Sequence, residues 1–439
     1  MMKLFKSLLR NRVAKNAGWL IAGNIAQMIV SFFVNIFTVR YLGPSNYGLI
    51  NYAGAYTAFF TSFCTLGLGS NIIMKAFSDN PGKDGDVLGS AMLLRAVSSF
   101  LSALMIIGIV SFADRGEPLT ITVVAVCCLG LEFQIFTTLN YWFQSKLNSK
   151  VSSIVSLTAY IITSLFKILL LALQKSVVWF AFATSLDLII SGLLLYISYR
   201  RNGGNKPSFS RNIARSLLKS GAPYILIGLM VAVYGYTDKL MLKQMLNTSE
   251  VGYYSTAAAI CAMWTFVLKA VIDSMSPSII EAQKHDPADY ENANCRLYAM
   301  IIYPCIAVSL IFSFFGKYII LLLYGIEYLP AAIPFRILTW YTIISYLGVA
   351  RGIWVVCEDL QKKAIYISVL SAFFNVFLNL VLIPRMGASG AALATLMTEC
   401  CAVFVFPLFR REYHANIKLM LKSMNPKYLI GEIRELIKE

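Results

Sequence analysis

The sequence predicts an all-α integral membrane protein: about twelve transmembrane helices in two six-helix lobes, related by a pseudo-two-fold axis along the membrane normal. Three observations predict it. Of 439 residues, 58% are hydrophobic and 14% charged, whereas an ordinary soluble domain is about a quarter charged. Windows of twenty or more mostly apolar residues recur along the whole chain, each long enough to cross a hydrocarbon core of about 30 Å as a helix. Stretches of the first half reappear in the second, displaced by about two hundred residues. A β-barrel would show short segments of alternating polarity instead.

With Gly, Pro and charge clusters as punctuation, the spans fall at roughly 17–38, 46–68, 87–112, 118–140, 152–173, 176–199, 213–237, 251–276, 295–322, 335–357, 363–384 and 388–410. Lys3, Lys6, Arg10, Arg12 and Lys15 precede the first run in the manner of a signal peptide. That run is too long and lacks a convincing cleavage site, so it reads as an uncleaved span. If the N-terminus is cytoplasmic, the tails and even-numbered loops hold roughly two-thirds of the Lys and Arg, and the positive-inside rule places both termini in the cytoplasm. The net charge of +16 therefore belongs to loops between spans, and nucleic acid is not an expected partner.

The largest basic cluster, Arg200, Arg201, Lys206, Arg211, Arg215 and Lys219, surrounds the Gly- and Asn-rich "RNGGNKPSFSRN". It divides the chain into an N-terminal lobe at 1–199, a cytoplasmic linker at 200–212, a C-terminal lobe at 213–410 and a basic tail at 411–439. "RYLGPSNYGLINYAGAY", Arg40 to Tyr56, aligns without gaps on "QMLNTSEVGYYSTAAAI", Gln244 to Ile260. Leu42/Leu246, Ser45/Ser249, Gly48/Gly252, Ala53/Ala257 and Ala55/Ala259 are identical. Further on, "AFATS" from Ala181 lies over "ALATL" from Ala392. Each half has an even number of spans, so equivalent helices run the same way and the axis lies along the membrane normal. In the tail, Arg410, Arg411, Lys418, Lys422, Lys427, Arg434 and Lys438 among apolar residues suit either an interfacial helix on an anionic leaflet or a topology anchor.

A charged side chain centred in hydrocarbon costs about 2.5–3.5 kcal/mol on insertion scales, so such residues face a cavity or a partner. Asn24, Gln27, Ser31, Asn35 and Thr38 recur at intervals of three and four on one face of span one. They form either a wet stripe or a polar packing interface. Ser156, Thr163 and Lys167 of span five fall on Ser368, Asn375 and Asn379 of span eleven. Arg95, Lys167, Lys269 and Arg351 are the cations within spans, and Arg40, Lys239 and Arg336 lie at outer span ends. Lys269 and Asp273 have i, i+4 spacing suited to an ion pair. The intramembrane acids are Glu132, Asp187, Asp273 and Glu399, with Asp238 at a span end. Asp187 and Glu399, near mid-span in helices six and twelve, suit a cation or proton site and equally a structural partner for Arg or Lys. Either way cations exceed anions on interior faces, which points to an anionic substrate.

Catalysis has little support. His285 and His414 are the two histidines, both in expected cytoplasmic segments. No phosphate-binding glycine loop, zinc motif or nucleophile elbow is present. The nine cysteines, including the pairs Cys127/Cys128 and Cys400/Cys401, lack metal-type spacing and read as inert buried thiols. No metal and no cofactor are expected.

The stretch "RYLGPSNYGLINYAGAY" after a first span, together with "PRMGASGAALAT" from Pro384 to Thr395, resembles the polysaccharide-biosynthesis flippases. These are the Wzx-type O-antigen and capsule repeat-unit transporters of the multidrug/oligosaccharidyl-lipid/polysaccharide exporter superfamily. The resemblance implies a MATE-like fold with spans one and seven lining a central cleft, in the plasma (inner) membrane. It implies that an undecaprenyl-diphosphate-linked oligosaccharide passes to the outer leaflet by alternating access, with membrane lipids, a polysaccharide polymerase and glycosyltransferases as neighbours. On this reading Arg40, Arg95, Lys167, Lys239, Lys269 and Arg351 are the cleft cations. Asn24, Gln27, Ser31, Asn35, Thr163, Asn375 and Asn379 form its polar stripe. Glu132, Asp187, Asp238 and Glu399 are the candidates for coupling to Na⁺ or H⁺. A MATE-type multidrug antiporter would favour a net acidic lumen instead. Lipid II flippases usually carry two further C-terminal spans, and an integral-membrane polymerase or acyltransferase commonly needs larger outer loops or a catalytic His.

Overall fold

The computed structural model describes residues 12–431. Lys3, Lys6 and Arg10, and Arg434 and Lys438 of the tail, lie outside the described residues. Among those described, every regular element is helical, and eleven helices are long and apolar enough to cross a membrane.

The difference from twelve expected spans lies in α1 (Arg12–Cys64). Its apolar part, Gly23–Cys64, has 42 residues, about 63 Å of helix at 1.5 Å per residue and so twice a hydrocarbon thickness. Gly43 interrupts it at φ 69° and ψ 171°, a region essentially confined to glycine. Pro44 then supplies no N–H to continue the ladder. Asn35 lies beside the Tyr47 hydroxyl, although a straight helix would hold them about 18 Å apart. The chain therefore doubles back at Gly43, and α1 contains two spans.

Two compact units divide the chain at Met1–Leu240 and Met241–Glu439. In the first, α1 is followed by α2 (Ser70–Asp79), α3 (Asp84–Ala113), α4 (Pro118–Phe133), a 3₁₀ turn at Gln134–Thr137, α5 (Thr138–Ser145), α6 (Ser149–Ala172) and α7 (Val177–Arg201). α1 packs along α3, α4 and α6, and α4 packs along α7. One core gathers Leu68, Ile73, Trp142, Phe143 and Tyr199.

The expected linker is an ordered strap within this unit. Ser208 N–H donates to Gly85 O at 3.0 Å, Ser210 N–H donates to Ser90 Oγ at 2.9 Å, and Tyr199 O–H donates to Asn205 O at 2.8 Å. The strap fits because Gly85 and Gly89 present no side chain: a Cβ at Gly89 would lie 2.3 Å from Ser208 backbone atoms. Most of α8 (Arg211–Met245) also belongs to the first unit. Gly221 abuts the Leu66 carbonyl and Gly228 abuts Ser62 at the end of α1, close approaches that only residues without Cβ permit.

The second unit holds α9 (Thr248–His285), α10 (Pro287–Tyr324), a 3₁₀ turn at Ile326–Ala331, α11 (Ala332–Cys357), α12 (Gln361–Met386) and α13 (Ala388–Cys400). Tyr298, Ile301, Leu347, Trp354 and Tyr413 centre its core. The "PRMGASGAALAT" segment is the α12–α13 turn. Gly387 adopts φ 54°, Gly390 lets the chain pass the Leu382 carbonyl, and Ala391, Ala392 and Ala394 are fully buried. Glu250 accepts from the Ala388 N–H at 2.6 Å, placing a carboxylate where the α13 dipole favours it.

The tail is docked rather than merely laid on a surface. In α14 (His414–Lys422), Asn416 Nδ2 donates to the Tyr298 hydroxyl at 2.6 Å, and Lys422 pairs with Glu291. Lys363 and Glu412 lie 2.6 Å apart, and Tyr303 O–H donates to Met424 O at 2.6 Å.

Candidate functional site

A cavity of about 440 Å³ opens in the first unit, within the roughly 300–1,000 Å³ of small-molecule sites. The second span of α1 supplies Asn51, Gly54, Thr57, Ala58 and Thr61, spaced three and four apart so that they share one face. Leu131 of α4, Gln134 of the 3₁₀ turn, Thr184, Ser185 and Leu188 of α7, and Tyr236 and Lys239 of α8 complete much of the wall. Lys239 is the cation among its lining residues, and its Nζ donates to Asn51 Oδ1 at 3.4 Å. An ammonium has three protons and Asn51 takes one.

The wall hydroxyls are pre-oriented. Thr57 donates to Gly54 O at 3.0 Å, Thr61 to Thr57 O at 2.9 Å, Thr184 to Ala181 O at 2.6 Å and Ser185 to Val126 O at 2.8 Å. Each proton is committed to a carbonyl, which leaves oxygen lone pairs as acceptors. Lys239, Tyr236 and Gln134 bring donors. This combination suits a ligand bearing one anionic group and several hydroxyls.

The other expected cations are placed differently. Arg95 is buried in a structural joint: its guanidinium donates to Thr138 Oγ1 at 2.8 Å and to the Leu68 carbonyl, and lies 5.8 Å from the Tyr141 ring centre. It does not line the cavity. Lys167 faces Asp187, whose carboxylate lies beside Thr163. Lys269 and Asp273 are both exposed, and no ion pair joins them among the described residues, because each side chain points away from the packed face marked by Leu268 and Ile272. Arg40 and Arg336 are exposed near their helix ends.

Arg351 has a local explanation. The last span passes through a π-turn at Cys401–Val405, in which Phe406 N–H bonds Cys401 O, and Pro407 follows without an N–H. Both effects deprive the carbonyls of Ala402 and Val403 of helical donors. Arg351 replaces them, donating to Val403 O at 2.9 Å and to Ala402 O at 3.1 Å. Glu399 lies within electrostatic reach of Arg351 and against Gly348.

The polar stripe divides into local contacts. Asn24 and Gln27 line a second, smaller pocket, Ser31 lies beside Tyr160 of α6, and Thr38 donates to Val34 O at 2.8 Å. Asn379 Nδ2 donates to Asn375 Oδ1 at 3.1 Å in the buried interior of the second unit. Among the acids, Glu132 Oε1 and Asp187 Oδ1 are buried without a hydrogen-bond donor, and Asp238 is buried beside Lys239. No His/Cys/Asp/Glu cluster able to hold a metal occurs among the described residues.

Known proteins agree with this architecture. A family profile described as "Polysaccharide biosynthesis protein" matches residues 37–333. The capsular polysaccharide biosynthesis protein CapF of Staphylococcus aureus is 19% identical over 412 residues, covering 90% of this chain and 99% of that one. The solved lipid II flippase MurJ, in an inward closed conformation, is similar with TM-score 0.67 and 16% identity over 94% of this chain and 93% of that one. An inward-facing MATE family multidrug transporter of the MOP superfamily has TM-score 0.66 and 14% identity, covering 91% of this chain and 96% of that one. The fold is a MATE-like multi-pass membrane fold.

Proposed function

The chain belongs to the polysaccharide biosynthesis protein family, and from that premise we propose that it flips a lipid-linked glycan across the plasma (inner) membrane. The substrate is an undecaprenyl-diphosphate-linked oligosaccharide, moved from the inner to the outer leaflet by alternating access, with both termini cytoplasmic. The protein is a transporter and not an enzyme. The observation that carries the substrate assignment is the cavity in which Lys239 stands as a cation among hydroxyl and amide groups. Lys239 meets a phosphate, Asn51 holds the ammonium in place, and the Thr and Ser oxygens accept from sugar hydroxyls. The lipid tail stays in the bilayer.

The membrane potential favours this direction. It changes free energy by about 2.3 kcal/mol per charge per 100 mV, so roughly two negative charges leaving a negative interior gain about 4–5 kcal/mol. Return of the empty carrier is coupled to Na⁺ or H⁺. Among the four acids, Asp187 is the leading candidate: an unpartnered buried oxygen beside Thr163 and Lys167. A polysaccharide polymerase and glycosyltransferases act on either side of the flipping step.

The test is transfer of a fluorescent undecaprenyl-diphosphate glycan in vesicles containing the purified protein. Transfer accelerated by a potential that drives anions toward the acceptor leaflet supports the reading. Export of a cationic dye with no glycan transfer overturns it in favour of a drug antiporter.

A further inference from the structure

The smaller pocket is lined by other residues of the first unit. Asn24 is about 28 Å of helix from the Gly43 turn and Asn51, the partner of Lys239, about 12 Å, so this pocket and the Lys239 ammonium occupy different depths. The pocket has a volume of about 130 Å³ and is lined by Gly23, Asn24 and Gln27 of α1, Asn140 and Gln144 of α5, and Ser152, Ser153 and Ser156 of α6. None of these eight residues is charged. The space far exceeds the roughly 10–15 Å³ that one water needs, yet is below the roughly 300 Å³ of a drug-sized site.

Local structure explains this convergence. The 3₁₀ turn at Gln134–Thr137 shifts the helical register between α4 and α5. Asn140 and Gln144, one turn apart on α5, both line the pocket. Gly23 brings α1 onto α6, where a Cβ would lie 3.2 Å from Ser153 Cβ. Nearby charges are directed elsewhere: Lys146 pairs with Asp84 at 3.1 Å, and Lys150 Nζ lies 5.1 Å from the centre of the Trp19 ring.

Two of the lining groups lack partners. Ser153 is 8% exposed, and its Oγ and the Asn140 Oδ1 are buried without a hydrogen bond among the described residues. Buried polar atoms are ordinarily satisfied, and leaving one without a partner costs about 1–3 kcal/mol. Each amide offers both a donor and an acceptor, the complement of adjacent hydroxyls that also donate and accept. A phosphate would find no cation here.

We propose that this pocket is a second glycan subsite, one that holds a single uncharged sugar ring. The inference rests on the flippase reading and deepens it: the anionic group and one sugar of the same substrate are recognised at separate depths by separate chemistry.

Saturation-transfer NMR tests the proposal, using the full-length protein in detergent with neutral hexoses and N-acetylhexosamines as probes. Transfer to at least one sugar is expected, reduced fivefold or more by Asn140→Leu with Gln144→Leu and by the milder Ser153→Ala, and retained in Gly108→Val, a position with nothing within 4 Å and outside both pockets. Transfer to none of the sugars overturns the proposal, as does transfer that survives the pocket variants or vanishes with Gly108→Val. Vesicle transfer of the lipid-linked glycan is measured in parallel. Absent sugar binding with intact glycan transfer defeats the pocket alone; intact binding with absent transfer defeats the flippase reading alone.

Discussion

Lys239 of α8 donates to the side-chain oxygen of Asn51 in the second span of α1, 3.4 Å away. This contact ties a cation to the helix that supplies much of the cavity wall. Asn51 takes one of the three ammonium protons and leaves two for a ligand, while the buried Asp238 carboxylate beside Lys239 offsets part of its charge.

Lys239→Gln should therefore lower glycan transfer tenfold or more, with little change in thermal unfolding. A tenfold loss corresponds to about 1.4 kcal/mol of interaction, modest for a charge-assisted contact. Lys239→Arg should recover part of the rate. Transfer at the wild-type rate in Lys239→Gln would remove the cavity from the mechanism.

Arg351 should matter for stability more than for substrate. Arg351→Ala leaves the Ala402 and Val403 carbonyls without donors, at about 1–3 kcal/mol for each group left unsatisfied. The melting temperature in detergent should fall, and Pro407→Ala in the Arg351→Ala background should recover part of it by restoring a helical N–H. An unchanged melting temperature in Arg351→Ala would contradict this account.

The strap at 204–210 depends on the bare surface of α3. Gly89→Val would push a side chain into the Ser208 backbone, where overpacking typically costs about 1–3 kcal/mol. The protein should melt earlier and be cut faster by protease near Ser208. Gly108→Val, a position on the same helix with nothing within 4 Å, is the control and should change neither property.

Two surface pairs secure the tail with opposite pH dependence. The Lys363 hydrogen bond holds the Glu412 carboxyl below its usual range, so its contribution is present above the unfolded pKa and disappears as pH falls through the folded value. The Glu291 carboxylate raises Lys422 above the ordinary lysine range, so that contribution is present below the unfolded pKa and disappears as pH rises through the folded one. Lys363→Ala should loosen tail docking, followed by hydrogen exchange, at pH 7 and have a smaller effect at pH 3. Exposed pairs of this kind are weak, so the difference should shrink in high salt. An equal effect at both pH values would exclude the ion pair as its source.

Several parts of this protein were legible in sequence because they follow from local periodicity. The spans and the Gly43–Pro44 turn depend on runs, spacing and glycines that no distant contact has to supply. The cations were less legible. Arg95, Lys167 and Arg351 look alike as charges within apolar runs and Lys239 as a charge at a span end, yet Lys239 lines the cavity, Lys167 faces a carboxylate and the two arginines hold backbone carbonyls. Thr57, Thr61, Thr184 and Gln134 escaped notice because hydroxyls and amides in spans are common. The small polar face from Asn51 to Thr61 was a signal available within the second span, beginning inside the Arg40–Tyr56 repeat.

The amino-acid sequence by itself determined that the chain is a helical, multi-pass membrane protein and where most of its helices turn, because hydrocarbon requires every span to satisfy its own backbone. The tertiary structure alone decided which buried polar groups are consumed in holding the fold and which face open space. That depends on what lies opposite each side chain: a carbonyl orphaned by Pro407 for Arg351, a carboxylate for Lys167, and a cavity for Lys239.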